Sequence, residues 1–168
     1  SDAVAAHPRA PEKVAAWVDY LAYCSVREND ALADAVFLPQ WSRILEIGGN
    51  VGLFAAALLE RNSTAQAVVF DLPAVVAEAA RFPPPPAVAD RLNFAPGDLR
   101  FDALPLVNGQ APNVVLFKSV LHDWPDVAAR EILVEAIDHL SPGGIVLIAE
   151  RNDASFDTLP LSLSLIHI

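Results

Sequence analysis

Four short segments carry residues whose types and spacing can do chemistry. The first is Glu46-Ile47-Gly48-Gly49-Asn50-Val51-Gly52, an acid and one spacer followed by small residues. A dinucleotide fingerprint, G-x-G-x-x-G counted from Gly48, would need glycine where Asn50 and Leu53 stand, and the G-K-[ST] of a P-loop is absent. What fits is a turn whose small residues let the backbone approach a ligand closely, with Asn50 tolerating the left-handed conformation better than most residues. A tight strand-to-helix turn without a ligand has the same pattern.

The second segment is Phe70-Asp71-Leu72-Pro73. An acid on the order of 20 residues past a glycine turn can accept both hydrogen bonds of a ribose diol. The alternative is a helix cap, since Pro73 suits a first helical turn. In the third segment, Gly97-Asp98-Leu99, Asp98 can accept from an adenine amino group and Leu99 can pack on the ring, although Gly-Asp is also a common turn. The fourth is Lys118-Ser119-Val120-Leu121-His122-Asp123-Trp124-Pro125. His122, beside an aromatic residue, can serve as a general base, or with Asp123 it can cap a helix starting near Pro125.

The elements that must position these residues alternate. Short apolar runs predict strands at 43–47, 67–70, 92–95, 113–118 and 145–150, and helical patterns lie at 53–61, from Pro73 to about Ala80, and at 127–140. Ahead of them, 11–23 places Val14, Trp17, Val18 and Leu21 on one helical face, and 31–37 reads as a second short helix. The run Pro83 to Pro86 reads as an extended loop rather than a docking motif. Strands alternating with helices predict a doubly wound α/β domain with a mostly parallel sheet, which binds ligands beyond the carboxyl ends of its strands. All four segments fall at such ends.

Composition agrees with a globular domain. The 168 residues are 54% hydrophobic and 19% charged, and 11 basic against 21 acidic side chains leave a net charge of −10, which disfavours nucleic acid as a partner. No apolar run is long enough to span a bilayer and no leader opens the chain, so a cytoplasmic protein with no membrane partner is expected. Cys24, the single cysteine, excludes an intrachain disulfide and a multi-cysteine metal site, and reads as a small core residue; no metal is expected. With no Met in the chain, it is expected to begin inside a longer protein. Its last six residues, LSLIHI, look like one reading frame of a sequencing adapter, and are set aside from fold reasoning.

Taken in order, EIGGNVG, FDLP, GDL, FKSVLHDWPD, LSPGG and IAE resemble the catalytic domain of the small-molecule O-methyltransferases of the plant caffeate and bacterial polyketide-tailoring type. The match runs from about Trp41 to Arg151, and the K-x-x-L-H-D-W segment is its strongest part. The resemblance implies a Rossmann-like class I methyltransferase fold, truncated at both ends: a helical lead-in at 1–40, an incomplete S-adenosylmethionine-binding domain at 41–157 and a tail at 158–168. It implies S-adenosyl-L-methionine as cofactor, held by Gly48, Gly49, Asp71, Asp98, Leu99 and Lys118. It also implies His122 as the base that removes the acceptor's hydroxyl proton, with Glu150 holding the histidine.

The implied partner is a hydroxylated small molecule, and members of the family carry an N-terminal helical domain through which the whole protein would form a homodimer. Loss of the final strands would leave the fifth strand as an exposed edge. Richness in Ala, Val and Pro points to a GC-rich bacterial source and secondary metabolism. Other readings on the same fold are an N- or C-methyltransferase, a nicotinamide oxidoreductase disfavoured by the broken fingerprint, or an inactive piece that at most binds cofactor.

Overall fold

The computed structural model describes residues 11–151 and 161–167. A helix, α1 (Pro11–Ala35), leads into β1 (Arg43–Ile47), α2 (Leu53–Arg61), β2 (Gln66–Asp71), the short α3 (Pro73–Val76) with a 3-10 turn at Ala77–Arg81, and β3 (Leu92–Pro96). There follow β4 (Val114–Lys118), a 3-10 turn at Leu121–Asp123, α4 (Asp126–His139), β5 (Ile145–Arg151) and β6 (Leu161–His167). They form one sheet in the order β3-β2-β1-β4-β5-β6. The first five strands are parallel, as the alternation predicts, and the order reverses between β1 and β4. The glycine turn after β1 and Lys118 at the end of β4 flank this switch, where open α/β sheets bind ligands.

The apolar runs form central strands because both faces of the sheet are covered. Ile44, Val69, Leu116 and Leu147 pack with Phe54 and Leu58 of α2 and with Leu32 of α1. On the other face Leu45, Val68, Val115 and Phe117 pack with Ile132 and Ala136 of α4. Phe117, Ile44, Leu45 and Leu58 are completely buried, each at a gain of roughly 1.5–3 kcal/mol over exposure. Val14 and Val18 of α1 cover Val51 and Val75 in a third cluster beside the cleft.

Two expectations are corrected here. The two separate helices predicted at 11–23 and 31–37 are a single helix of 25 residues. The intervening stretch breaks the apolar periodicity but contains no Gly or Pro, and Ser25 bonds back to the Leu21 carbonyl at 2.6 Å without ending the helix. The exposed edge of the fifth strand is also overturned, because β6 pairs antiparallel with β5 from Arg151↔Leu161 to Ile145↔His167. The alternation Leu161-Ser162-Leu163-Ser164-Leu165 has the period of a strand, and the edge of β5 offers it a row of backbone partners. The proline run lies in the loop before β3, as expected, and no described helix is long and apolar enough to cross a membrane.

Candidate active site

The strand ends open onto one cleft of about 680 Å³, a size suited to a small molecule. Gly48, Gly49, Asp71, Asp98, Leu99, Lys118 and His122 all line it, and Glu150 stands behind His122.

The glycine turn is shaped by what surrounds it. Gly48 has φ +67°, and a Cβ there would lie 2.7 Å from Val120 Cγ2; a Cβ on Gly49 would lie 2.6 Å from Glu46 Cδ. Glycine at 49 therefore makes room for the Glu46 carboxyl beneath the turn. Asn50 takes the left-handed conformation expected of it, with φ 55°. Its N–H donates to Asp71 Oδ2 at 2.8 Å, and the Leu72 N–H donates to Oδ1 at 2.7 Å. The cap of α3 is Leu72 with no side-chain bond, so Asp71 joins the ends of β1 and β2 across the cleft floor instead of capping a helix.

Asp98 carries more than a turn. The Arg100 guanidinium grips its carboxylate, with Nε donating to Oδ1 at 2.8 Å and the second contact to Oδ2. Leu99 packs at the edge of the core on the α4 side of the sheet. Lys118 is not the water-exposed strand-end lysine of the alternative reading. Its side chain is 9% exposed and its ammonium lies 3.2 Å from Glu28 Oε2 on α1.

Glu46 is 1% exposed and accepts the Ala55 N–H at 3.2 Å. Burial pushes its carboxyl up to about 8; the Lys118 charge and the Ala55 bond oppose this, and the Asp71 carboxylate adds to it. A carboxyl in such surroundings is mostly protonated at neutral pH.

The other end of the cleft holds His122, half-exposed in the 3-10 turn Leu121–Asp123. The cap of α4 is Pro125, so neither His122 nor Asp123 serves as that cap. His122 Nδ1 lies 2.6 Å from Glu150 Oε2, while Glu150 Oε1 accepts the N–H groups of Val120 at 2.9 Å and Leu121 at 2.8 Å. Glu150 thus fixes both the ring and the backbone that carries it. With Nδ1 donating to Glu150, a neutral ring carries its lone pair on Nε2; Asp123 Oδ1, 3.3 Å from that nitrogen, can pair with it once it takes up a proton.

Several residues escaped the sequence reading. Trp17, Tyr20 and Glu28 bring α1 into the cleft wall, and Cys24, expected in the core, is half-buried there too because α1 turns that side toward the cleft. Ser119, between Lys118 and His122, has φ 54°. Tyr20 is exposed, off the apolar face that marks the helix in the sequence, and Glu28 lies in the polar stretch that interrupts the apolar periodicity.

A family model of the O-methyltransferase domain matches residues 4–158. The chain belongs to the O-methyltransferase domain family. Among curated relatives of this O-methyltransferase domain, the 3-hydroxy-5-methyl-1-naphthoate 3-O-methyltransferase of Streptomyces sahachiroi is 34% identical over 119 residues, covering 71% of this chain and 33% of that protein. The mitomycin 7-O-methyltransferase MmcR shares the fold at TM-score 0.80 and 23% identity, over 94% of this chain and 45% of that one. The methyltransferase CalO1 of calicheamicin biosynthesis, solved in its SAH-bound form, is 28% identical with TM-score 0.69, over 85% of this chain and 42% of that one. The chain thus spans about a third of the first of these proteins and under half of the two solved chains.

Proposed function

We propose that this O-methyltransferase domain binds S-adenosylmethionine in the cleft and transfers a methyl group to a hydroxyl, phenolic in character, of a small-molecule acceptor, with His122 as general base. The observation that carries the reading is the pairing of His122 with Glu150 at the mouth of a cleft whose floor is the glycine turn tied to Asp71. The cleft fits the cofactor by its donor set: Asp71 ends β2 and Asp98 follows β3, where a nucleoside would be held, and Gly48 and Gly49 of the turn line the cleft without side chains of their own. Gly48, Gly49, Asp71, Asp98, Leu99 and Lys118 would hold it. When bound, it supplies a methyl group already activated on a sulfonium sulfur.

The chain's own residues then have two tasks. Positioning is the first, and for an activated donor it contributes at least as much as proton transfer. The second is the proton. A phenol has a pKa near 10 and is mostly neutral at pH 7, so His122 Nε2 takes its proton as the oxygen attacks, a contribution of about 10² to 10⁴ in rate. Glu150, by accepting from Nδ1, holds the tautomer in which Nε2 is the base.

Incubation with labelled S-adenosylmethionine and a phenolic acceptor tests this. The reading expects methyl label on the acceptor oxygen, reduced at least a hundredfold by His122→Ala; label on nitrogen or carbon, or wild-type turnover by His122→Ala, would reject it.

A further inference from the structure

The buried Glu46 carboxyl is not used by that mechanism. It projects from the centre of β1 among apolar neighbours: Val69 and Leu116 are its partners in the sheet register, and Ile44 precedes it on the same face. It nevertheless lines the cleft, against the backbone of Gly49. Among the described residues, the groups that act on it come from three surrounding elements. From α2 comes the Ala55 N–H, from β2 the like-charged Asp71, and from β4 the Lys118 ammonium. The same ammonium lies 3.2 Å from Glu28 Oε2 of α1. The Lys118 ammonium is therefore drawn to two carboxyls, in an apolar setting where a lone carboxylate is strongly disfavoured.

A second positive charge entering the cleft would change this balance. The methyl donor brings one on its sulfur, and the demethylated product does not; in other respects the two ligands have the same functional groups. We propose that Glu46 is a charge sensor for the ligand, releasing its proton when the sulfonium-bearing donor binds and keeping it when the neutral-sulfur product binds, so that the site prefers donor over product increasingly as pH rises. This rests on the methyl-donor reading above. At neutral pH the carboxyl starts mostly protonated, so a proton is available to be released.

The test is calorimetric titration of the full chain with S-adenosylmethionine and with S-adenosylhomocysteine in buffers of different ionisation enthalpy, after subtracting each ligand's own titration. Donor binding is expected to release close to one proton and product binding much less, and the donor-to-product affinity ratio is expected to rise about tenfold between about pH 6.5 and 8. Glu46→Gln keeps the shape and an acceptor for Ala55, and should abolish both differences. Equal proton counts with a flat affinity ratio, or differences that survive in Glu46→Gln, would overturn the proposal while leaving the cofactor reading intact. If that variant does not fold, the wild-type proton counts decide alone. Binding of neither ligand by the folded chain would remove the cofactor reading and this proposal together.

Discussion

Glu150 accepts the His122 Nδ1–H at 2.6 Å on one carboxylate oxygen and the N–H groups of Val120 and Leu121 on the other. One side chain from β5 thereby sets the position, the ring plane and the tautomer of a residue carried by the segment after β4. Glu150→Gln has only one acceptor oxygen and would present an amide N–H to one of these donors. We expect it to lower kcat by about 10- to 100-fold with little change in cofactor affinity, measured by methyl transfer and by calorimetry on the same preparation. Unchanged kcat would show that the pair is structural.

The buried Glu46 predicts a pH dependence of stability. Its carboxyl is raised in the folded chain to about 8 from an ordinary value of 4.5, so the unfolded chain loses this proton first. The group's contribution is fully present below about pH 4.5 and is lost as pH rises to about 8, at up to about 1.4 kcal/mol per pH unit. Urea denaturation across that window should show wild type losing stability relative to Glu46→Gln. Parallel curves for the two proteins would contradict the burial account.

Lys118 and Glu28 join β4 to α1 with both side chains nearly buried, 9% and 13% exposed. Lys118→Met should cost up to about 3–5 kcal/mol, since it removes the ammonium that faces the nearly buried Glu28 carboxyl. Glu28→Gln added to it should recover part of that loss. A cycle in which the two substitutions are simply additive would show the pair to be energetically idle.

Gly49→Ala places a methyl group on the Glu46 carboxyl, at 2.6 Å from Cδ. Displacing a fully buried side chain in this way should destabilise by about 1–3 kcal/mol and distort the turn. Thermal unfolding checks the first effect, and loss of S-adenosylhomocysteine affinity the second.

How much of this was legible in the sequence differs from element to element. The runs RILEI and VVLFK read as strands because a parallel sheet buries both faces and so favours mainly apolar runs, with the buried Glu46 as the exception in the first. Asp71 and His122 stand out in the sequence because ligand sites of such sheets lie at the strand ends, and both line the cleft. The continuity of α1 was not legible, since its middle carries Ser25, Glu28 and Asn29 on a surface that the cleft and sheet cover only after folding. Nor was the Glu28–Lys118 pair, whose partners are 90 positions apart. The strand at Leu161–His167 keeps the period-two rule from Leu161 to Leu165, but most of it falls in the six residues whose resemblance to a sequencing adapter masks that signal.

The methyl-donor site proposed for this cleft is built on the glycine turn and Asp71. Its most direct test is calorimetric binding of S-adenosylhomocysteine to the purified chain, with Asp71→Ala alongside and circular dichroism to show that both are folded. Saturable one-to-one binding that is lost in Asp71→Ala is the predicted result. A folded wild-type chain that binds no S-adenosylhomocysteine, or an Asp71→Ala variant that binds it as tightly as wild type, would contradict the account.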